Sequence, residues 1–584
     1  MAALARTWQR FTHNDQLLLF LLAVAVGAAG GYGALGFRMV ASGVQFLFFG
    51  DGSEQIASAA RELPWWQVML APTLGGLLIG IFTRYVLPGR LPQGVPQVME
   101  AAALKNGRMS MREGIAAAFV SAASLGCGAS AGREGPIVHL GASLASSVAR
   151  LLHLSPSLAK TLLGCGVAAA IASAFNAPIA GVIFALEVVI GHYGIGAFSP
   201  VVISSVIGTV ITRIHIGPDP AFILPPQQVV SFLEIPAFVL LGLVSATVAI
   251  ALMRSVSLVQ AGHDRLNVPS WARPMLGGAV VGVVALWLPE VLGVGYEATD
   301  RVLWNQYELW FIIVLAVAKT MATALCLGSR FGGGIFSPSL VIGAMAGAAF
   351  GMVADSAFPE LGSNASVYAI LGMGAVAACT LGAPISTVIM VFELTTDYGV
   401  AFAVMVCVAV ASVFSRQVHW HSFFTWQLAQ RGIDLHARRD HSLLRARGVS
   451  DVLRPEVLTV GLDAELEELK SAFRERHLPI FVVDDQQALY GAINFEDLAD
   501  AAFDPEQDGP VTAHDLVHRT PVHLVPQDNL ETALRLCEAN HEEHMPVVNN
   551  GTERKVIGEV RLSDLVLALN RALLEARAAE RGES

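Results

Sequence analysis

Charge is what this sequence has least of. Asp, Glu, Lys and Arg make up 15% of its 584 residues, against 54% hydrophobic residues, where a soluble domain carries about a quarter charged. One large water-soluble body is thereby excluded. Cysteine is sparse as well. Cys127, Cys165, Cys326, Cys379, Cys407 and Cys537 show no paired spacing and mostly fall in apolar runs, which argues against a disulfide framework and against a thiolate metal site. No nucleophile–base constellation and no Walker-type phosphate loop is present, so nothing points to an enzyme. Basic charge is not in excess either: the net charge is −11, which gives nucleic-acid binding no footing.

The shortage of charge is uneven. From Ala446 to Ser584 there are 13 Lys and Arg against 27 Asp and Glu, a net of −14, while the preceding 445 residues hold 24 against 21, a net of +3. The chain therefore reads as a membrane domain joined to an acidic soluble one, whose acidity is the solvated surface of a small domain. Leu17 to Phe49 is almost uninterrupted apolar sequence with Arg38 its only charge. This run exceeds the roughly 20 residues that cross a bilayer, so it predicts a long tilted helix, and it is too long for a signal peptide. Apolar segments recur to about Phe424, many of them short or broken by Gly and Pro. That pattern suits helices that stop part-way through the membrane with their ends buried. Arg6 and Arg10 precede the first apolar run, and Arg431, Arg438, Arg439, Arg445 and Arg447 follow the last. The positive-inside tendency then puts both termini in the cytoplasm of a multi-pass protein of a plasma or inner membrane.

Glycine and proline, by contrast, are placed in repeating patterns. GREGPIVHLGA (Gly132 to Ala142) and GGGIFSPSLVIGA (Gly332 to Ala344) each lead a glycine cluster into a proline, with a Gly-Ala pair beginning five residues later. Glycine lets backbone amides approach a ligand, and proline suits the first positions of a helix. A helix starting at such a turn aims its free N–H groups and positive dipole end at the space in front of it. Two such ends inside a membrane make an anion site. FNAPIAGVIFALE (Phe175 to Glu187) and LGAPISTVIMVFE (Leu381 to Glu393) are a second pair, each with a glutamate nine residues after its proline. Pro136 and Pro338 lie 202 residues apart, and Pro178 and Pro384 lie 206 apart. Near-equal offsets are the mark of duplicated halves that hold a transporter site near the bilayer midplane.

The soluble tail repeats too. HLPIFVVDD at His477 aligns with HMPVVNNG at His544, and GAINFEDL at Gly491 with GEVRLSDL at Gly558, both at an offset of 67. Each copy reads as helix, apolar strand, turn, strand, helix, a small α/β unit.

With GREGP, GGGIFSP and FNAPIAG in order, residues 10 to 435 resemble the ClC family of chloride channels and proton–chloride exchangers, and the tail resembles a tandem CBS pair. The fold implied is an α-helical polytopic membrane protein of two inverted repeats, followed by the α/β CBS module. The expected boundaries are 1–435 for the membrane domain, 436–447 for a basic linker, 448–570 for the CBS pair (448–508 and 510–570), and 571–584 for a charged tail. The resemblance implies a homodimer with one pore per subunit, passing chloride or a related small monovalent anion.

Residue by residue, Glu134 matches the family's gating glutamate, whose carboxylate takes an anion position when the pore is closed. A lone carboxylate at membrane depth is a functional candidate in its own right. Gly132 belongs to the same turn, and Ile335 and Phe336 match positions whose N–H groups bind the central anion. Where the family usually has Gly-Ser-Gly-Ile-Pro, this chain has Pro92-Gln93-Gly94-Val95-Pro96, so an amide replaces the anion-touching hydroxyl beside Gly94; that amide carries donors and an acceptor. Phe424 stands where the family places a tyrosine, losing its hydroxyl. Strict chloride preference is thereby put in doubt. Val188 occupies the position of the exchangers' inner glutamate. Glu187 and Glu393 read as structural acceptors, and Lys319 and Asp397 receive no role. In the CBS pair Asp497 and Asp564 keep the acidic position that can bind a ribose, but Asn494 and Arg561 stand where Thr or Ser is usual. A helix cap would explain each Asp equally, so an adenine nucleotide and a purely structural pair both stay open; no cofactor or metal is required.

The leading reading is a glutamate-gated anion channel with weak or no proton coupling. A proton–anion antiporter of the same family is the alternative. A CBS-regulated cation transporter is remote, because its pore turns would need acidic or carbonyl-rich linings.

Overall fold

The apolar run at Leu17 folds as one helix, Asp15–Phe49, of 35 residues, about 50 Å long at 1.5 Å per residue, which needs tilt to fit a bilayer. The computed structural model describes residues 15–87, 92–218, 222, 224–225, 229, 231–357, 363–433, 447–476, 479–503, 511–517 and 521–581. Arg6, Arg10, Arg438, Arg439, Arg445, His477 and all of the linker except Arg447 lie outside these residues. The chain divides into two units, Met1–Asp434 and Leu435–Ser584.

In the first unit, eight helices among the described residues are long and apolar enough to cross a membrane. Others are short: Val95–Leu104 has 10 residues and Pro384–Thr395 has 12. These are broken helices whose free ends must be satisfied by protein. The succession Met111–Gly126, Glu134–Leu151, Pro156–Phe175, Pro178–Phe184 and Ile195–His215 recurs as Leu309–Gly328, Phe336–Ala357, Ala365–Leu381, Pro384–Thr395 and Tyr398–His419. In the first copy, Pro178–Phe184 continues as a π-helical turn, Ala185–Ile190.

The Gly-Ala pairs explain how each half packs. A Cβ at Gly141 would sit 2.4 Å from the Gly166 carbonyl oxygen, and one at Gly343 would sit 2.5 Å from that of Gly372. Any side chain there would force the helices Glu134–Leu151 and Pro156–Phe175 apart, and likewise their counterparts. Close backbone crossing at small residues is how helices gain contact where lipid supplies no hydrophobic drive. The halves meet in an antiparallel bridge between Gly132 and Gly334, the opposed chain direction expected of inverted repeats.

In the second unit, β1 (Thr459–Gly461) pairs parallel with β2 (Ile480–Val483), which pairs antiparallel with β3 (Leu489–Ile493). β4 (His544–Val548) pairs antiparallel with β5 (Val556–Arg561). Helices Leu466–Arg476 and Phe495–Phe503 flank β2 and β3, and Leu530–Asn540 and Leu562–Arg581 flank β4 and β5. Both copies thus take the expected order. They join where the Leu489 N–H donates to the Arg554 carbonyl at 2.9 Å, over a small shared core of Phe481, Leu489 and Val548.

Candidate anion pathway

The two glycine turns are tied to each other. Gly132 N–H donates to Gly334 O, and Gly334 N–H donates to Gly132 O, both at 2.7 Å. At Gly333, φ is +142°, and an added Cβ would fall 2.5 Å from Ala131 Cβ, so only glycine fits. This bridge uses the Gly132 N–H and sets the helix starts Glu134 and Phe336 side by side.

Glu134 opens its helix and is buried, with 1% of its surface exposed. Its carboxylate reaches across to the other half. Oε2 accepts the Ser337 N–H at 3.2 Å, and Oε1 accepts the Ser337 hydroxyl. The Tyr296 hydroxyl donates to Oε1 at 3.5 Å and lies 3.4 Å from the Ser337 hydroxyl. The negative group therefore rests on the positive end of helix Phe336–Ala357, where such an end favours an anion.

Arg133, the preceding residue, borders this contact, its Nε 4.0 Å from Glu134 Oε1. Its Nη1 donates to Glu54 Oε1 at 2.8 Å, its Nη2 to the Ala174 carbonyl at 3.0 Å, and its guanidinium lies 4.8 Å from the Tyr296 ring centre. Arg38 Nη2 meets the same Glu54 oxygen at 3.0 Å. Arg38, Glu54, Arg133, Gly295 and Tyr296 line a cavity of about 60 Å³. Lys319 takes a role here that its sequence context did not suggest. Fully buried, it donates to the Val291 and Gly293 carbonyls at 3.0 and 2.9 Å, fixing the turn that delivers Tyr296.

Helix Val95–Leu104 packs against helix Glu134–Leu151, the π-helical turn bearing Val188, and helix Phe423–Ala429. The Gln93–Gly94 turn, Glu134's helix, Val188 and Phe424 are thus gathered around one short helix. Gln93 Nε2 donates to Glu113 Oε2 at 3.2 Å, and Gly94 N–H donates to Gln97 Oε1 at 2.7 Å, so both turn residues have donors engaged by side chains of this chain. Ile335, Phe336, Val188 and Phe424 are all buried. The Phe336 ring centre lies 5.0 Å from that of Phe175 and 5.8 Å from that of Phe184.

The duplicated glutamates cap each other's halves. Glu187 accepts the N–H groups of Ile385 at 3.1 Å and Ser386 at 2.8 Å. Glu393 accepts those of Ile179 at 2.9 Å and Ala180 at 2.7 Å. Each carboxylate holds the start of the opposite helix after its Ala-Pro. Asp397 caps helix Tyr398–His419 through the Val400 N–H at 2.8 Å.

In the tail, Asp497 Oδ2 accepts the Asn494 N–H at 2.8 Å. Asp564 is held bidentately by Arg454, at 2.6 and 2.8 Å. Arg561 turns to Glu559, its Nε 2.7 Å from Oε1, while His544 Nδ1 lies 3.4 Å from the other oxygen. Burial pushes the Glu559 carboxyl up, but His544 and Arg561 outweigh it and hold the group below the usual carboxylate range.

Sequence reasoning passed over Tyr296, Ser337 and Glu113. Ser337 lies inside GGGIFSP, whose glycines point to backbone contacts and give no sign of a role for the hydroxyl. Tyr296 lies 162 residues from Glu134, with no spacing cue beyond the glycines before it.

Comparison with known proteins fits this geometry. The pattern of the family described as voltage gated chloride channel matches residues 75–416, and that of the CBS domain matches residues 449–504 and 513–571. The chain belongs to the voltage-gated chloride channel family, the ClC family, and is an anion-transporting, multi-pass membrane protein rather than an enzyme. A putative chloride channel protein ClcB-like from Ralstonia nicotianae is 33% identical over 420 residues, covering 71% of this chain and 98% of the relative. A slow cyanobacterial Cl−/H+ antiporter shares the fold at TM-score 0.63 and 24% identity, over 71% of this chain and 97% of its own. A eukaryotic CLC transporter does so at TM-score 0.61 and 17% identity, over 94% and 98%.

Proposed function

We propose that this chain is a chloride channel, or a channel for a related small monovalent anion, gated by Glu134 and with weak or no proton coupling. The observation that carries the reading is the Glu134 carboxylate on the N-terminus of helix Phe336–Ala357, bonded to the Ser337 N–H at 3.2 Å. A carboxylate in that place excludes an anion from it, and its departure or neutralisation frees the helix end. Backbone donors of Ile335 and Phe336 then serve the central anion, with Gln93 and Phe424 setting which ions pass. Paired helix ends favour anions without any ring of fixed acceptors.

Val188 supports the channel reading, since it offers a proton no titratable group between Glu134 and the inner side. The antiporter remains the second reading on one observation: Glu113 places a carboxylate 3.2 Å from the Gln93 amide, a titratable group beside the first anion turn. The protein acts as a homodimer with one pore per subunit, in a plasma or inner membrane with both termini cytoplasmic. The tail serves as a structural or dimerising CBS pair; an adenine nucleotide at Asp497 and Asp564 is the alternative, with no cofactor needed for conduction.

Reversal potentials of the purified protein in liposomes test this. The expected result follows the chloride gradient, ignores potassium, and shows little or no movement of protons against their gradient. Stoichiometric uphill proton movement driven by chloride, abolished in Glu134→Gln, establishes the antiporter instead.

A further inference from the structure

The central position has lost two hydroxyl donors at Gln93 and Phe424, yet two other hydroxyls converge one step along, at Glu134. Both belong to buried side chains: Tyr296 is 5% exposed and Ser337 is fully buried. The Ser337 hydroxyl donates to Glu134 Oε1, and the Tyr296 hydroxyl lies 3.5 Å from the same oxygen. The two hydroxyls are 3.4 Å apart. The charged groups facing this point are Glu134 itself and Arg133, whose Nε is 4.0 Å from Oε1 and has no hydrogen-bond partner although buried. Glu54 pairs with the Nη1 of Arg133 at 2.8 Å and leaves its Nε unbonded.

We propose that Tyr296 and Ser337 are anion ligands: when the Glu134 side chain leaves, their hydroxyls, with the Ser337 N–H, coordinate the permeating anion in the place the carboxylate held. The inference rests on the gating role of Glu134 given above. Its chemistry is simple. Three donors that converge on a carboxylate oxygen pair converge equally on a halide or another small monovalent anion, because each asks only for a compact negative acceptor. With Glu134 present, the same hydroxyls latch the closed pore; with it absent, they bind cargo. The hydroxyls that the first turn and the Phe424 position lack are thus supplied from the turn that Lys319 clamps and from the GGGIFSP turn. Tyr296 depends on that clamp, since Lys319 fixes the carbonyls of Val291 and Gly293 just before it. Arg133 Nε adds positive potential at the rim, close enough to attract an anion but not to replace the hydroxyls.

The test uses the Glu134→Ala background, in which no carboxylate remains to be latched. Chloride is titrated calorimetrically into the detergent-purified full chain carrying E134A, E134A with Ser337→Ala, E134A with Tyr296→Phe, or E134A with Ser337→Thr. Losing a hydrogen bond to a charged partner weakens binding by about ten-fold or more, so E134A/S337A and E134A/Y296F should each bind chloride about ten-fold more weakly. E134A/S337T should retain the affinity. A residue that only positions Glu134 has nothing to act on in this background and leaves the titration unchanged. Equal chloride affinity in E134A and in both double variants therefore overturns the proposal. Chloride efflux from E134A liposomes, run in parallel, reports on the gate alone. Failure of E134A to conduct at neutral pH counts against the gating reading, while the titrations still decide whether the hydroxyls bind anion.

Discussion

Removing the charge of Glu187 should weaken the fold and leave conduction intact. Its carboxylate accepts two backbone N–H groups of the opposite half, at 3.1 and 2.8 Å, and also the Ser386 hydroxyl. A hydrogen bond to a charged group contributes about 1.5–3 kcal/mol, and a negative charge at a helix N-terminus about 0.3–1 kcal/mol, more when partly buried. Glu187→Gln keeps one acceptor oxygen but loses the charge and leaves one N–H without its partner. The expected loss is about 2 kcal/mol. Glu393→Gln, which disturbs the reciprocal cap on Ile179 and Ala180, should cost a similar amount. The double variant should lose less than the sum, because both caps join the same pair of helices and neighbouring sites couple. Unfolding by SDS titration in mixed micelles, followed by tryptophan fluorescence, reads the change, with chloride efflux from liposomes as control. A loss below about 0.5 kcal/mol for both single variants, or altered anion selectivity with unchanged stability, refutes the capping role.

Three further outcomes are expected. Gln93→Ser removes the amide now bonded to Glu113 and restores a hydroxyl at the first turn, so the relative permeabilities of chloride, nitrate and bromide should shift; unchanged ratios place the side chain outside the pathway. Because Glu559 is held below its usual range in the folded tail, its contribution is present above the unfolded carboxyl's value, about 4.3, and is lost as pH falls through the lower folded value. Hydrogen exchange at β4, corrected for intrinsic rate, should therefore speed up on acidification below about pH 4.5, and this acid sensitivity should shrink in Glu559→Gln. Calorimetry of the full chain with millimolar ATP, ADP and AMP should show no heat, since Asp564 is engaged by Arg454 and Asp497 by the Asn494 N–H; heat that disappears in Asp564→Ala establishes the nucleotide reading.

Much of the architecture could be read before any coordinates, because periodicity and duplication are written along the chain. The Gly-Ala pairs after Pro136 and Pro338 proved to be helix crossings, for the reason that only glycine permits a carbonyl oxygen 2.4 Å from its Cβ position. The paired glutamates after Pro178 and Pro384 were visible as a repeat, but their partners were not. A cap from Glu187 to Ser386 spans 199 residues, and only the inverted folding of the halves brings them together. The surroundings of Glu134 were illegible for the same reason. Tyr296, Ser337, Arg133 and Glu54 come from four separate segments, and no spacing rule connects them. Gln93 was legible as a departure from a motif, while its engagement with Glu113 was not, because an amide names no partner in advance. Lys319 stood out as an isolated charge in apolar sequence; its task, holding two carbonyls of a turn, needed the turn to be seen.

The central claim is that the Glu134 carboxylate stands in the anion's own place and that its charge closes the pore. Chloride efflux from liposomes, measured for wild type and Glu134→Gln across external pH from about 4 to 8, tests it most directly. Wild-type efflux should rise as the outside is acidified, and Glu134→Gln efflux should be fast and the same at every pH. Glu134→Gln efflux that stays slow at neutral pH and accelerates in acid as the wild type does would contradict it.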